Sequence, residues 1–155
     1  MPHVRAPWRV LAIAVLMLAA CASTSEPGAR SSSDDFVGHR WRITLVQHGQ
    51  SRFTIPAALG AWVEFKSNGR FAASNGVNGF GATFKRTKHG YGLGDDAVGS
   101  AVGNPGPGGA PQSTLAVIDA MNPMTEGGAD VNASVKSGQL QLATHGYQIT
   151  GTPTT

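Results

Sequence analysis

The sequence is poor in cysteine, in charge and in aromatic side chains. Among its 155 residues the one cysteine, Cys21, excludes an intrachain disulfide framework and a zinc site built from several cysteines. Charged residues make up 14%, which argues against a charged coiled coil and against a highly charged disordered chain. Aromatic residues make up 7%, enough for a few core positions, whereas glycine supplies 21 residues and proline 9. This composition is typical of a glycine-rich β domain, and the length fits one domain.

The N-terminal segment has the pattern of a secretory leader. Arg5 and Arg9 supply a positive start, and residues 10–20 form an uncharged apolar run. That run is too short to cross about 30 Å of hydrocarbon as a finished helix. It ends in Leu18-Ala19-Ala20-Cys21, which resembles the bacterial lipobox.

The lipobox resemblance implies that Cys21 becomes the first residue of the mature chain. A thioether to diacylglycerol forms on its sulfur before residues 1–20 are removed, and two acyl chains hold a protein stably on a membrane. We therefore expect a lipid-anchored protein on the exported side of the cell membrane or in the outer envelope. Two alternatives remain open, namely an ordinary signal peptide with a coincidental cysteine and an uncleaved signal anchor.

Charge gives little information about partners once the leader is removed. Without Arg5 and Arg9 the formal net charge falls from +3 to about +1. No basic stripe with interleaved aromatic residues remains, so we expect no nucleic-acid partner. Residues 21–36 combine the lipidated cysteine with a segment rich in serine, alanine and glycine, which predicts a flexible spacer before a domain at 37–155.

Hydrophobic residues of this domain recur mostly with period two, which predicts strands. Asn68-Gly69 predicts a type I′ hairpin turn, with residues 70–74 as the returning strand. Turns at 137–138 and 145–146 separate the last three strands, which we expect to form a meander. The predicted faces are Trp41, Ile43 and Leu45, opposite Arg42, Thr44 and Val46; Ala61, Val63 and Phe65; Phe80, Ala82 and Phe84; Val131, Ala133 and Val135; Leu140 and Leu142; and Tyr147 and Ile149.

Two segments depart from this period. Residues 113–121 place Leu115, Ile118 and Met121 three apart, which predicts a short helix over the sheet, with Ser113 or Thr114 capping its start and Asn122-Pro123 ending it. Residues 99–111 are so rich in glycine and proline that we expect a surface loop with no regular element.

The order of these parts resembles the META/HslJ-like domain of bacterial envelope lipoproteins. The resemblance depends on an opening Trp41 strand, a Phe65–Phe71 hairpin, the segment 74–80, a short helix and closing strands at 140–142 and 147–150. In segment 74–80, Asn78 and Phe80 match the family's central motif and Gly76 lies near its small residue. Val77 replaces the cysteine of that motif, and the glycine- and proline-rich loop replaces a later Thr-x-Met-Ala-Cys segment.

The resemblance implies a mainly β (α+β) fold, an antiparallel and partly barrel-like sheet with one short packed helix. It implies no established enzyme activity, and some members are linked to heat or envelope stress. The candidate site residues of the motif are Asn75, Gly76, Asn78, Gly79 and Phe80. Because glycine accepts positive φ and asparagine tolerates it, we expect these Asn-Gly pairs to form turns or bulges rather than a ligand-binding loop.

Other chemistry finds little support in the sequence. The glycines at 76–79 and 90–94 lack the strand-to-helix context and the Gly-Lys-Ser/Thr of a phosphate loop, so no nucleotide cofactor is expected. His39, His48, His89 and His145 lack metal-ligand spacing, so no metal is expected, and His3 leaves with the leader. The carboxylates of Asp95-Asp96 would point to opposite faces of a strand, and a turn is the expected role.

Three functions remain. We expect a non-catalytic envelope lipoprotein that binds another protein or supports the envelope under stress, with an exposed β edge or an apolar patch as its working surface. The second is a carrier of a small hydrophobic ligand, in a barrel lined by Trp62, Phe71, Phe84 and Tyr91; the alternative role of these aromatics is the core. The third is an enzyme, which would need a cleft holding Asp95 or Asp96 beside a histidine.

Overall fold

The computed structural model describes residues 35–101 and 109–154. Cys21 and the predicted leader lie outside these residues. The described part contains one α-helix, a 3-10 turn at Ala57–Leu59 and ten strands. Their bounds are β1 (His39–His48), β2 (Ser51–Thr54), β3 (Trp62–Phe65), β4 (Arg70–Ser74), β5 (Asn78–Arg86), β6 (Gly90–Leu93), β7 (Val98–Ala101), α1 (Gln112–Thr125), β8 (Asp130–Lys136), β9 (Gln139–Thr144) and β10 (Tyr147–Thr154).

Eight of the strands form a closed antiparallel barrel. Hydrogen-bonded neighbours follow the path β1, β3, β4, β5, β6, β8, β9 and β10, and β10 pairs with β1 along its length. β2 pairs with the second half of β1, and β7 pairs with the first half of β5. The prediction of a mainly β, antiparallel, barrel-like fold with one helix is confirmed.

Aromatic rings fill one part of the barrel interior. Phe65 lies at the centre of this cluster, with ring centroids 5.3 Å from Phe71, 5.5 Å from Phe84 and 4.8 Å from Tyr91. Phe36, at the boundary that the sequence suggested between spacer and domain, is 5% exposed and packs 4.8 Å from Phe65. The packed part of the domain therefore includes Phe36.

The predicted alternation of β1 fails after Ile43. Trp41, Ile43 and Val46 are buried, whereas Leu45 is only half-buried. The pairing with β10 shifts at this point, from Ile43 opposite Gly151 to Leu45 opposite Thr150. A β-bulge inserts one residue and changes the face of everything beyond it, so Val46 rather than Leu45 continues the core face.

The hairpin turns follow the sequence with one correction. Ser137 and His145 have φ of 51° and 47°, and the glycine after each is also positive, as a type I′ turn requires. In the β3–β4 turn only Gly69, at 78°, has positive φ, and its N–H donates to the Lys66 carbonyl. The predicted type I′ turn at Asn68-Gly69 is therefore wrong, since that turn needs positive φ at Asn68 as well.

The helix is longer than predicted and presents a different face. Pro111 is its N-cap, no side chain caps it, and Pro123 lies inside its last turn. Val117 and Met121 are buried, but Leu115 is 45% exposed. The spacing of three residues wrongly predicted that Leu115 is buried, because a helix face also includes the i+4 neighbours. Ala116, Ala120 and Met124 lie on the buried side instead.

The loop predicted at residues 99–111 begins later than expected. Gly99, Ser100 and Ala101 belong to β7, which pairs with Asn78–Gly81 of β5. Glycine weakens a strand but does not prevent pairing where a neighbouring backbone comes close, and a Cβ built on Gly99 would lie 3.6 Å from the Phe80 ring. Residues 102–108 lie outside the described part.

Candidate functional site

The Asn75 motif forms a tight turn between β4 and β5. The Asn75 carboxamide oxygen accepts hydrogen bonds from the backbone N–H groups of Val77 at 2.9 Å and Asn78 at 2.7 Å. Gly76 has φ of 88°, and a Cβ there would lie 2.4 Å from the Leu59 carbonyl oxygen. Asn78 and Gly79 lie within β5 rather than in a turn.

The side chains of Asn75 and Phe80 in this motif have structural roles. Asn75 is fully buried, and its side-chain nitrogen has no hydrogen-bond partner among the described residues. Phe80 is half-buried and packs against the core. The bonded oxygen of Asn75 gives this side chain a clear role in shaping the turn.

Asp96 joins β5 to the segment between β6 and β7. Its carboxylate accepts hydrogen bonds from the Thr83 hydroxyl at 2.7 Å and the Thr83 backbone N–H at 2.8 Å, and forms an ion pair with Arg70 at 2.9 Å. These bonds, first of all the one from the Thr83 hydroxyl, lower the pKa of Asp96 below its ordinary value. Asp95 and Asp96 form a turn, as expected from the sequence.

The aromatic residues proposed for a ligand cavity occupy two different places. Phe71, Phe84 and Tyr91 belong to the packed interior, where the rings of Phe71 and Tyr91 stack 5.7 Å apart. Burial raises the pKa of Tyr91, whose hydroxyl has no hydrogen-bond partner in the described residues. Trp62 lies outside the barrel, with the Arg40 guanidinium 4.1 Å from its ring centre.

The outer edge of β7 is the most exposed apolar feature of the sheet. β7 pairs with β5 along one edge, and no other strand of the described chain pairs with it. Val98 is 67% exposed, and Gly99 and Ser100 are exposed beside it. An unpaired strand edge offers backbone donors and acceptors to an extended partner.

A groove of about 300 Å³ lies between α1 and the barrel. Phe53, Leu115 and Tyr147 give it apolar walls, and His48 and Asp119 add polar groups. The His48 ring stacks on Tyr147 with centroids 4.2 Å apart. The groove thus combines an exposed leucine with a few polar groups, which is the usual composition of a small-molecule site.

A second groove, of about 500 Å³, lies at the opposite end of the barrel, where the described chain begins. Phe36, Arg86, Lys88 and His89 contribute to its lining. Asp35 forms an ion pair with Arg86. Burial opposes ionisation of Asp35, but the hydrogen bonds from Arg86 and from the Val37 N–H outweigh it and lower the pKa of this carboxyl.

The histidines are dispersed over the described surface. His39 lies 5.7 Å from Trp41, His48 stacks on Tyr147, His89 lines the groove beside Lys88, and His145 bonds to the Thr144 hydroxyl. In residues 35–101 and 109–154 no three histidine, cysteine, aspartate or glutamate side chains come together as metal ligands would. Across the same residues, no helix combines the length and apolar character needed to cross a membrane.

Comparison with known proteins gives the fold alone. No protein-family profile and no curated protein sequence matches this chain. Among solved structures, the chain is similar to the NMR structure of a protein from Burkholderia xenovorans, with a TM-score of 0.54 and 16% identity. The similarity covers 84% of this chain and 97% of that one. At this identity it supports a shared architecture and says nothing of a shared activity.

The sequence did not predict two of the strands, β6 and β7. β6 was missed although Tyr91 and Leu93 alternate with glycines, and both side chains are buried. The edge of β7 was missed because its glycine lies at the start of a glycine- and proline-rich run. Asn75, Gly76, Asn78, Gly79 and Phe80 do come together at one end of β5, whereas Cys21 falls outside the described residues.

Proposed function

We propose that this protein is an exported lipoprotein, anchored through Cys21, whose META/HslJ-like barrel binds another protein of the envelope and acts without catalysis. The leader and its lipobox-like end support the anchor. The open outer edge of β7 is the single observation that carries the binding role. The resemblance to META/HslJ-like domains, to which segment 74–80 contributes, supports a role in envelope stress.

The β7 edge has the features that strand addition requires. It presents four residues, Val98–Ala101, in extended conformation, and β5 fixes their position from the other side. Val98 places an exposed apolar side chain beside the open backbone, at 67% exposure. An extended segment of a partner protein would pair with this backbone and cover Val98.

The arrangement of the carboxylates favours a structural role over a catalytic one. Asp96 accepts two hydrogen bonds from Thr83 and one from the Arg70 guanidinium. A general acid or base needs a proton that it can exchange with substrate near neutral pH. A carboxyl with a lowered pKa, held by two donors and a guanidinium, is suited to joining strands instead.

The anchor is tested by intact mass of the protein from the membrane fraction, with Cys21→Ala as the control. The expected mass is that of residues 21–155 plus a diacylglyceryl group, and Cys21→Ala keeps its leader. An unmodified or uncleaved wild-type mass would contradict the anchor.

The binding role is tested by a photo-crosslinking amino acid placed at Val98 in living cells. The matched control places it at Leu115, which is also exposed but lies on α1. We expect a discrete adduct with one envelope protein from position 98, and its loss on substituting Gly99→Pro, which removes a backbone donor. Equal adducts from both positions, or none from position 98, would refute the role of this edge.

A carrier of a small hydrophobic ligand is the second candidate, favoured by the groove between α1 and the barrel. Exposed Leu115 faces this groove together with Phe53 and Tyr147. Fluorescence titration with parinaric acid tests it, with Leu115→Ser expected to weaken binding and Val98→Ser expected to leave it unchanged. An equal effect of the two substitutions would count against the groove.

A further inference from the structure

The two ends of the barrel differ in charge. We call the end where the described chain begins the entry end; it comprises Asp35-Phe36 and the turns at 66–69, 87–89 and 137–138. These belong together because β3, β5 and β8 all finish there, whereas β1 starts there opposite Phe65. Exposed lysines stand at each of the three turns, namely Lys66, Lys88 and Lys136.

Acidic groups do not cancel this charge within the described residues. Three carboxylates lie at or beside the entry end, and each has an arginine partner: Asp35 pairs with Arg86, Glu64 with Arg40 at 2.8 Å, and Asp96 with Arg70 at 2.9 Å. The three lysines are outside these ion pairs. At the opposite end, α1 packs against β1, β2, β9 and β10 and bears exposed Asp119, with exposed Glu126 directly after it.

The chain itself brings the entry end close to the anchor. Asp35 is the first described residue, and residues 22–34 connect it to Cys21. This connection spans at most about 50 Å when fully extended. Strand β1, with ten residues, is about 33 Å long. The entry end can therefore reach the membrane with the connection only slightly extended, whereas the opposite end reaches it only if the connection extends over most of this length.

We infer that the entry end of the barrel docks on the anionic headgroups of the membrane that holds the anchor, through Lys66, Lys88 and Lys136. Lysines within a Debye length of an anionic bilayer are attracted to it, and their contributions add. The opposite end, with α1 and the His48–Tyr147 stack, then points away from the bilayer. This inference rests on the lipid anchor of the proposed function, and it assigns an orientation that the anchor alone does not.

The test uses the lipidated mature protein in vesicles, with a single new cysteine labelled with a bimane fluorophore. In a lipidated chain the sulfur of Cys21 is occupied by the thioether, so the new thiol is the one that reacts. One label replaces Ser67 in the entry-end turn, and the matched label replaces Gln50 in the β1–β2 turn at the opposite end, where both side chains are exposed. Nitroxide attached to lipid headgroups quenches the fluorophore only at short range.

In vesicles containing phosphatidylglycerol we expect several-fold stronger quenching at position 67 than at position 50. The difference should disappear in pure phosphatidylcholine and in 1 M salt, where the Debye length falls to about 3 Å. It should also disappear in Lys66→Gln/Lys88→Gln, whereas Arg52→Glu, which changes the net charge equally at the opposite end, should preserve it. Lys136→Gln provides an independent third variant of the same surface.

The outcomes separate the inference from the function on which it rests. A mass lacking the diacylglyceryl group overturns the anchor and the docking together. A lipidated chain with equal quenching at the two positions overturns the docking alone. A difference that persists in phosphatidylcholine, or in the lysine variants, also overturns it, because the orientation would then come from the connection and not from headgroup charge.

Discussion

The carboxylate of Asp96 accepts hydrogen bonds from both the hydroxyl and the backbone N–H of Thr83, thirteen positions before it in the chain. The same carboxylate pairs with Arg70 on the neighbouring strand β4. One side chain thus connects β4, β5 and the segment that leads into β7. Gly94 makes this approach feasible, since a Cβ there would lie 2.3 Å from the Thr83 hydroxyl oxygen.

Asp96→Asn should lower the urea midpoint of unfolding at neutral pH. The control variant Asp95→Asn should have a midpoint near that of the wild type. Because the pKa of Asp96 is lowered in the folded protein, its stabilising contribution is present above about pH 4 and is lost as pH falls through that lowered pKa. The difference between wild type and Asp96→Asn should therefore shrink in acid. A difference that is constant down to pH 2 would contradict the prediction.

Gly90→Ala should destabilise the barrel by about 3 kcal/mol or more, measured by urea unfolding. A Cβ at Gly90 would lie 1.9 Å from the Val131 carbonyl oxygen, where β6 passes β8. The backbones would have to separate to admit it.

Gly92→Ala is the matched control two residues along the same strand. The nearest atom to its Cβ would be 3.6 Å away, which is ordinary contact. We expect a change below about 1 kcal/mol. Equal losses for the two variants would show that strand propensity, and not the close approach to Val131, decides the outcome.

Asn75→Ala should cost about 2 kcal/mol in the free energy of unfolding, because two backbone N–H groups lose a buried acceptor. The control is Asn68→Ala, since Asn68 accepts one bond from the Arg70 N–H at 3.2 Å in an exposed turn. We expect less than about 0.5 kcal/mol there. Similar losses at the two sites would show that burial adds nothing to the Asn75 turn.

Tyr91→Phe should leave stability unchanged or raise it by about 1 kcal/mol at neutral pH. The hydroxyl is buried without a hydrogen-bond partner among the described residues, so its removal relieves an unpaired polar group.

The pH dependence of the same variant gives a second test. Burial raises the pKa of Tyr91, so the folded protein keeps the proton while the unfolded chain ionises near pH 10. Wild-type stability should therefore decline as pH rises above about 10, and the difference from Tyr91→Phe should grow over that range. Parallel pH profiles for the two proteins would argue against complete burial.

The sequence predicted most of the strands because their side chains alternate cleanly. Val63 and Phe65 are buried as predicted, and the meander of β8, β9 and β10 is confirmed. The predictions went wrong where a local rule was overridden by the pairing partner. The bulge that buries Val46 depends on the register with β10, which the residues of β1 do not specify.

The C-terminal end of helix α1 was also predicted wrongly from the sequence. Asn122-Pro123 predicts the end of the helix, but Pro123 lies within its last turn. A proline there lacks one backbone donor, and packing compensates for this loss, since Met124 beyond it is fully buried. Among the candidate site residues, the turn at Asn75 was predictable from residue chemistry. The free edge of β7 depended on which strands meet, and its composition pointed to a loop.

The pairing of β1 with β10 has a consequence for the time course of folding. These strands join Arg40 to Thr154 and the Thr44 hydroxyl to the Thr150 carbonyl, across more than one hundred residues of chain. Contacts this distant in sequence form slowly, because the intervening loop must close before they stabilise anything. During synthesis from the N-terminus, β1 is complete long before β10 is made. Until that moment β1 lacks one neighbour and is exposed to pairing with other chains, so the interval before closure is when a chaperone would be of most use to this protein.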